Sequence, residues 1–226
     1  MKRNATQALP RPHGRHGTRR PRRGTTRPGT RASLLAAARR LFARCGYDGA
    51  SVRAITHQAG ANLGSITYHF GSKHALYEAV LEQVLSPLVD RVRTAVGGPG
   101  DSLDRAEATV RAFFAHLEEN PDMPQLMLQE IAAGKTPPAP VARLIGGVSG
   151  CLGQLMAEGQ VAGEVRSGDP VLMALSVVYQ PVHLTLVRRM AKHIVGLDQS
   201  DPATHDRVVE HAARFARAGL AAGGRS

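Results

Sequence analysis

A run of basic and aromatic side chains without a single acid is the feature of this sequence that points most directly to chemistry. Between Asp48 and Glu78 the chain has no Asp or Glu, whereas the same interval contains Arg53, Lys73 and three histidines. Carboxylates close to phosphate groups would repel them, so a surface of this composition suits a polyanion. A helical hairpin whose exposed face is merely neutral is the alternative interpretation of the same composition.

Short helices separated by glycines must position these side chains. Apolar residues at helical spacing after Thr30 predict the first helix. We expect Gly46 to end it in a left-handed conformation. Ser51 is placed to cap a second helix, which ends at Gly60. The segment from Thr30 to Gly60 is therefore expected to contain one helix, a tight break and a second, shorter helix.

A third short helix and a longer fourth helix complete the pattern. We expect Asn62 to cap the third helix, with Leu63, Ile66 and Phe70 pointing inward, and Ser72 to cap the fourth. Two short helices joined by a Gly-containing turn are typical of a helix-turn-helix, whose second helix enters the major groove of DNA with its N-terminal end first. The outward residues of that helix are small or polar, namely Asn62, Gly64, Ser65, Thr67, Tyr68 and His69.

Two patterns within this segment match a known family at the family's spacing. They are F-x-x-x-G-Y-x-x-x-S/T-V-R-x-I, from Phe42 to Ile55, and Y-H-F-x-S-K-x-x-L-Y, from Tyr68 to Tyr77. On these patterns, residues 31–80 resemble the DNA-binding domain of the tetracycline-repressor (TetR) family of bacterial transcription regulators. The remainder of the chain resembles the family only in its helical layout.

The resemblance implies two sets of DNA contacts. The base-facing positions of the recognition helix match Asn62, Gly64, Ser65 and Thr67. The positions that lie on or near the phosphate backbone match Ser51, Arg53, Tyr68, His69 and Lys73, and Arg53 is also placed to reach a base edge. Thr67 stands where many members have an aromatic residue and Asn62 where Ser is usual, which leaves the operator sequence open. His69 has packing inside the domain as its alternative role.

The first 29 residues differ in composition from the rest of the chain. They contain nine Lys or Arg residues and no acid, and they are rich in Pro, Gly and Thr. A segment of this kind buries too little apolar surface to fold alone, so we expect residues 1–29 to form a disordered basic arm that binds nucleic acid. A solubilising tail or a start-site artefact is the alternative interpretation.

Helical periodicity continues beyond this domain, and the sequence predicts an all-α protein. We expect a helix-turn-helix DNA-binding domain over 30–78 and a larger helical regulatory and dimerisation domain over 79–226. The segment after Asp169 is apolar on nearly all faces, and such a helix must be buried on several sides, which indicates a partner subunit. Pro181 is expected to kink or interrupt that helix.

The resemblance extends these expectations to assembly. In the family the last two long helices form a four-helix bundle with those of a second subunit, and Ala212, Ala216 and Gly219 would permit close approach there. Such a homodimer would bind a pseudo-palindromic double-stranded DNA operator through successive major grooves, roughly 34–36 Å apart.

The family also implies a small-molecule pocket in the second domain. Helix glycines around residues 146–153 cost helix propensity, and either close helix packing or room for a ligand could offset that cost. An apolar or amphipathic effector fits a pocket rich in methionine. The candidate lining residues, each with ordinary core packing as its alternative, are Phe113, Phe114, Met127, Met156, Met173, Tyr179, Gln180 and His183.

The function that the resemblance implies is that of a ligand-responsive transcriptional regulator, most often a repressor. An effector that binds the DNA-incompetent state more tightly would weaken operator binding and relieve repression. The alternative is a sequence-non-specific nucleic-acid-binding protein driven by the basic arm. The sequence leaves the effector, the operator, the target genes and the sign of regulation open.

Other protein classes find little support in the sequence. It contains no GxSxG, P-loop, HExxH or Rossmann fingerprint and no Cys/His metal pattern, so we predict no catalytic residue, cofactor or metal ligand. Cys45 and Cys151 lie far apart without CxxC spacing, which fits a reducing compartment. Without a signal-peptide pattern or an apolar run of ~18 residues, we expect a cytoplasmic protein that makes no membrane contact.

Overall fold

The computed structural model describes residues 29–223, and these residues fold into ten helices. The predicted basic arm, apart from Gly29, lies outside the described residues. Over the described range the β-type pairing is confined to one isolated antiparallel bridge between Val165 and Ala221. The prediction of an all-α protein is confirmed.

The first four helices form the N-terminal part of the molecule, and six more complete it. The first four are α1 (Thr30–Gly49), α2 (Val52–Ala59), α3 (Gly64–Phe70) and α4 (Lys73–Val96). The other six are α5 (Ser102–Glu119), α6 (Met123–Ala133), α7 (Ala139–Ala162), α8 (Pro170–Leu186), α9 (Arg188–Val195) and α10 (Pro202–Leu220).

Two serines cap the starts of α2 and α4, and a glycine ends α2, as predicted. The Ser51 hydroxyl accepts a hydrogen bond from the Ala54 amide at 3.1 Å and so caps α2, which ends at Gly60 in the left-handed conformation. The Ser72 hydroxyl caps α4 through the Ala75 amide at 3.0 Å. These caps satisfy backbone donors that a helix start otherwise leaves unpaired.

Two details of the predicted helix ends are wrong. Gly46 does take a positive φ of 70°, but its ψ of 179° is extended rather than left-handed, and the chain resumes helical geometry as far as Gly49. The third helix begins at Gly64 rather than at Asn62, and no side chain caps it. Leu63 therefore precedes the helix and is 53% exposed instead of pointing inward.

Helix α4 contributes to both halves of the molecule. Its first turns bury Leu76 and Val80 in the core that α1 and α3 share with it, and its later turns bury Leu88 and Val92 where it packs on α5 and α7. The predicted boundary between residues 78 and 79 falls within this continuous helix. The division into two domains therefore stays a prediction, because no break in the backbone marks it.

A polar cluster joins α1 to the segment between α5 and α6. The Arg39 guanidinium donates from Nε to Asp122 at 2.6 Å and from Nη2 to Asn120 at 3.1 Å. His116, buried on α5, lies with its Nε2 2.9 Å from the Val84 carbonyl oxygen, and burial lowers the pKa of its imidazole. A neutral His116 that donates from Nε2 satisfies this carbonyl.

The glycines of α7 divide into two groups. A Cβ on Gly159 would lie 2.5 Å from Val165 and 2.7 Å from Ser102, so close packing explains this glycine. A Cβ on Gly146, Gly150 or Gly153 would meet nothing within 4 Å. Neither close packing within the chain nor the cavity described below therefore accounts for these three.

The apolar helix after Asp169 differs from its prediction at Pro181. The helix α8 runs through Pro181 to Leu186, and the chain turns at Val187 instead. In the part of the chain that the structure describes, no single helix is long and apolar enough to cross a membrane. Only α8 and α9 together reach the required length and composition, and they meet at a bend of 65°.

Candidate functional site

The exposed surface of α2, α3 and the first turn of α4 contains most of the residues predicted to contact DNA. Ser51 and Arg53 are exposed at the start of α2. On and before α3, the exposed residues include Asn62, Gly64 and Thr67. Tyr68 is 85% exposed, which is unusual for so large an aromatic side chain unless a partner covers it. These residues share one face, which no carboxylate from the interval 49–77 interrupts.

The outward placement of Ser65 is wrong in this structure. Its side chain is only 8% exposed, and its hydroxyl donates to the Asn62 carboxamide oxygen at 2.7 Å. Its backbone amide also donates to the Asn62 carbonyl oxygen at 3.1 Å. The Ser65 hydroxyl thus faces the preceding turn and binds Asn62 instead of pointing outward.

His69 lies at the edge of the exposed face. Its ring contacts Tyr68 edge-on at 4.9 Å between ring centroids and lies 6.4 Å from Phe70. The side chain is half-buried, so part of the imidazole packs and part is accessible. Its direct contact with DNA stays a prediction.

Lys73 is held in place by an aromatic ring. Its ammonium nitrogen lies 4.3 Å from the centre of the Tyr47 ring, a cation–π arrangement that limits where the charge can go. Because Ser72 caps α4 immediately before it, Lys73 occupies the first position of a helix whose start favours anions. A phosphate would therefore meet a positioned positive charge and free backbone donors together.

The structure adds Arg31 to the predicted set. This exposed residue at the start of α1 places its guanidinium carbon 4.9 Å from the centre of the Phe70 ring, beside the end of α3. The sequence offers only a weak signal for it, because a lone basic residue at the start of a helix is common. The cation–π contact depends on tertiary packing of α1 against α3.

A second feature is an apolar cavity of about 340 Å³ between α5, α6, α7 and α8, which is partly open to solvent. Three of the predicted ligand residues line it: Phe113, Met127 and Tyr179. The polar side chains at its wall are Glu130, Lys135, Ser149 and the Tyr179 phenol. The other lining residues are mostly aliphatic, among them Met123, Val141, Leu144, Ile145, Val148, Leu175, Val178 and Val182.

The other five predicted ligand residues lie elsewhere because of their positions around their helices. Phe114 and Met156 are buried in the core, and His183 is exposed to solvent. Met173 and Gln180, seven residues apart on α8, line a different groove between α8 and α10. The face of α8 toward the cavity instead contains residues 175, 178, 179 and 182, which follow helical spacing.

One hydrogen bond connects the cavity to the DNA-binding half. The Tyr77 hydroxyl on α4 donates to Glu130, whose side chain lines the cavity. Burial and this hydrogen bond raise the pKa of the Tyr77 phenol. The Tyr77 ring lies 5.1 Å from the ring of Tyr47, which in turn supports Lys73. Four side chains in contact thus run from the cavity wall to the first turn of α4.

The groove between α8 and α10 has a volume of about 510 Å³ and is open along its length. Leu172 and Phe215, which line it, are 63% and 62% exposed. Ala212 and Ala216, predicted to face a partner, are instead buried, because α10 turns this side toward α5 and α8 of its own chain. Gly219 is exposed, as a contact with a partner would require.

The part of the chain that the structure describes contains no group of three or more His, Cys, Asp or Glu side chains that could hold a metal ion.

Comparison with known proteins identifies the segment that contains the exposed face. Residues 34–80 match the family model described as bacterial regulatory proteins of the tetR family. The activator FasR of Mycolicibacterium smegmatis is 38% identical over 112 residues, which make up 47% of this chain and 51% of that protein. The chain spans about half or less of the length of the first curated relatives it matches.

Solved structures resemble the chain over most of its length. The ketosteroid transcriptional regulator KstR2 of Mycobacterium tuberculosis superposes with a TM-score of 0.68 at 20% identity and covers 88% of this chain and 99% of its own. A TetR family transcription regulator from Marinobacter aquaeolei gives a TM-score of 0.68 at 18% identity and covers 86% and 96%. These likenesses establish the fold, an N-terminal helix-turn-helix followed by a larger helical part. The matched segment 34–80 is thereby identified as a DNA-binding domain of the tetR family, and the chain is similar to named transcriptional regulators of that family.

Proposed function

We propose that the protein is a homodimeric repressor that binds a pseudo-palindromic DNA operator and is released from it by a small apolar molecule. The observation that supports it most is the exposed, acid-free face of α2, α3 and the start of α4. In this proposal Asn62, Gly64 and Thr67 contact bases, whereas Ser51 and Lys73 contact phosphates. The protein would act in the cytoplasm and without catalysis.

The groove between α8 and α10 supports the assignment of a homodimer. Leu172 and Phe215 expose large apolar side chains on two adjacent helices, and an isolated chain gains nothing from leaving them in water. A second copy related by a two-fold axis would present the same side chains to this face and bury both sets. The two α3 helices would then point in the same direction, toward successive major grooves of one duplex.

The apolar cavity between α5, α6, α7 and α8 supports a small apolar effector. Its size and aliphatic lining suit a compact apolar molecule, and Glu130 offers that molecule one strong acceptor. An effector that donates a hydrogen bond to Glu130 competes with the Tyr77 hydroxyl for the carboxylate. Loss of the Tyr77 contact would free the first turns of α4, and with them Lys73, from their present position.

The sign of regulation is proposed from the relatives. AcnR of Corynebacterium efficiens and KstR2 of Rhodococcus jostii are named transcriptional repressors, whereas FasR is named an activator. A protein that blocks a promoter needs only to occupy it. The proposed contacts with bases and phosphates would serve that purpose. Repression is therefore the simpler assignment for this chain.

A non-specific nucleic-acid-binding protein remains the second candidate. The observation that favours it is the nine basic residues, without an acid, in segment 1–29. Such a segment contacts phosphates regardless of sequence, and its affinity falls steeply with salt.

Selection from a random double-stranded DNA library at near-physiological salt separates the two candidates. For the full chain we expect enrichment of a palindrome with half-sites about one helical turn apart, in a complex that contains two protein chains. Deletion of residues 1–29 should lower the affinity and flatten its salt dependence without changing the selected sequence. Binding without enrichment, or loss of the preferred sequence on deletion, would favour the non-specific candidate.

Lys73 should contribute to affinity without contributing to sequence preference. We expect Lys73→Ala to weaken binding to every duplex by about 5-fold near 0.15 M salt and to reduce the slope of log K against log salt by about 1, because one phosphate contact is lost. Lys192→Ala removes the same charge from helix α9, where Lys192 pairs with Asp198 at 2.7 Å, and is the control for net charge. Equal weakening in both variants would show that Lys73 acts only through net charge.

Tyr77→Phe tests the proposed link between the cavity and the DNA-binding half. The neutral fluorophore N-phenyl-1-naphthylamine serves as an apolar probe, titrated with and without a saturating amount of the selected duplex. Because coupling is reciprocal, bound DNA should weaken the probe's affinity for the wild-type chain by at least about 5-fold. The variant, which lacks the hydroxyl that binds Glu130, should lose most of this effect.

Two measurements control this test. Thermal melting of Tyr77→Phe checks that the variant is folded, and Tyr179→Phe, on the α8 wall of the cavity, should keep the wild-type coupling. If bound DNA leaves the probe's affinity for the wild-type chain unchanged, the cavity is ruled out as the effector site. Undiminished coupling in Tyr77→Phe would exclude the Glu130 contact as the link.

A further inference from the structure

Four arginines line a second cleft, on the side of α6 away from the apolar cavity. Arg40 and Arg44 extend from successive turns of α1, and Arg188 and Arg189 form the first turn of α9. With Pro124 and the other lining residues they enclose about 460 Å³. We call this feature the basic cleft. It lies where the DNA-binding half meets α6, α8 and α9.

The charges of the basic cleft are not neutralised within the described residues. None of its four arginines forms an ion pair or a hydrogen bond with a described partner. The one carboxylate in the lining, Asp122, is already bound by Arg39 through two hydrogen bonds. Because Arg39 offsets Asp122, the four guanidinium groups leave the cleft positively charged.

The four guanidinium groups repel one another, because they share one cleft and none has a described acidic partner. Arg188 and Arg189 stand directly after the C-terminus of α8 and at the first two positions of α9, so the dipoles of the two helices act on these cations in opposite senses. An anion in the cleft would relieve the repulsion among the four charges.

We propose that the basic cleft is a binding site for a diphosphate group. Guanidinium groups bind phosphate oxygens through paired hydrogen bonds, and four of them match two adjacent phosphates better than a single carboxylate. The cleft is larger than one phosphate requires. The α6 helix also begins at this wall, with Pro124 and Gln125 in the lining, so its positive end adds to the field.

A diphosphate in this site would fix the two halves of the molecule relative to each other, because its ligands come from α1 on one side and α9 on the other. Binding itself does not depend on the function proposed above. Its regulatory consequence does rest on that function: an occupied cleft would change operator affinity by holding α1, and thus α3, in one orientation. The apolar cavity and the basic cleft would then be two separate inputs.

Titration calorimetry of the full chain with inorganic pyrophosphate tests the site. We expect saturable binding that weakens by at least about 10-fold in Arg188→Ala/Arg189→Ala and likewise in Arg40→Ala/Arg44→Ala, because each pair removes charged hydrogen bonds to phosphate. The control is Arg93→Ala/Arg143→Ala, which removes the same charge from α4 and α7 outside the cleft. This variant should retain wild-type affinity, and melting curves should show all three folded.

Several results would overturn the proposal. Equal weakening in all three variants would assign the binding to general electrostatics, including the basic segment 1–29, and binding that fails to saturate would do the same. If the cleft variants lose affinity for DNA as strongly as for pyrophosphate, the cleft is part of the DNA-contacting surface and not a small-molecule site.

A parallel titration with ADP distinguishes a nucleotide that carries a diphosphate from free diphosphate. Binding of ADP at least about 10-fold tighter than that of pyrophosphate, lost in the same cleft variants, would assign the site to a nucleotide-bearing ligand. Similar affinities would assign it to the diphosphate alone. Absence of binding by either compound would contradict the site altogether.

Discussion

The continuity of α4 is the constraint on which the rest of the structure depends. One uninterrupted helix buries Leu76 and Tyr77 against the DNA-binding half and Leu88 and Val92 against the larger half. A buried helix moves as a unit, because close-packed interiors deform little. The packing of α5 and α7 against its later turns is therefore connected through one helix to its first turn, where Lys73 stands above Tyr47.

The short helix α3 has little stability of its own. Seven residues without a side-chain cap are too few to hold helical structure in water, so tertiary packing must supply the stability. Ile66 is buried in the common core, and Phe70 is covered by Arg31. The hydrogen bond from Ser65 to Asn62 fixes the preceding turn. The orientation of the exposed residues Thr67 and Tyr68 thus depends on packing and hydrogen bonds on the inner side of α3.

The features that could be predicted from the sequence are those that depend on neighbouring residues, namely helix caps, helix ends and the all-α class. The caps by Ser51 and Ser72 and the breaks after them follow from residue type, and the all-α class follows from apolar spacing. Predictions failed where rotation about a helix axis or packing decides. Ser65 turned inward to bind Asn62, and the phase of α8 turned residues 173 and 180 away from the cavity. The basic cleft joins residues far apart in sequence, so no local pattern could reveal it.

Library selection with two single variants tests the central claim, that the exposed edge of α3 recognises bases. Thr67→Ala removes an exposed side chain from that edge, whereas Ser65→Ala removes only the buried hydrogen bond to Asn62. We expect Thr67→Ala to change the preferred base at one symmetric pair of operator positions. Ser65→Ala should select the wild-type sequence with lower affinity. The account is contradicted if Ser65→Ala alters the selected sequence as much as Thr67→Ala does, or if Thr67→Ala leaves it unchanged.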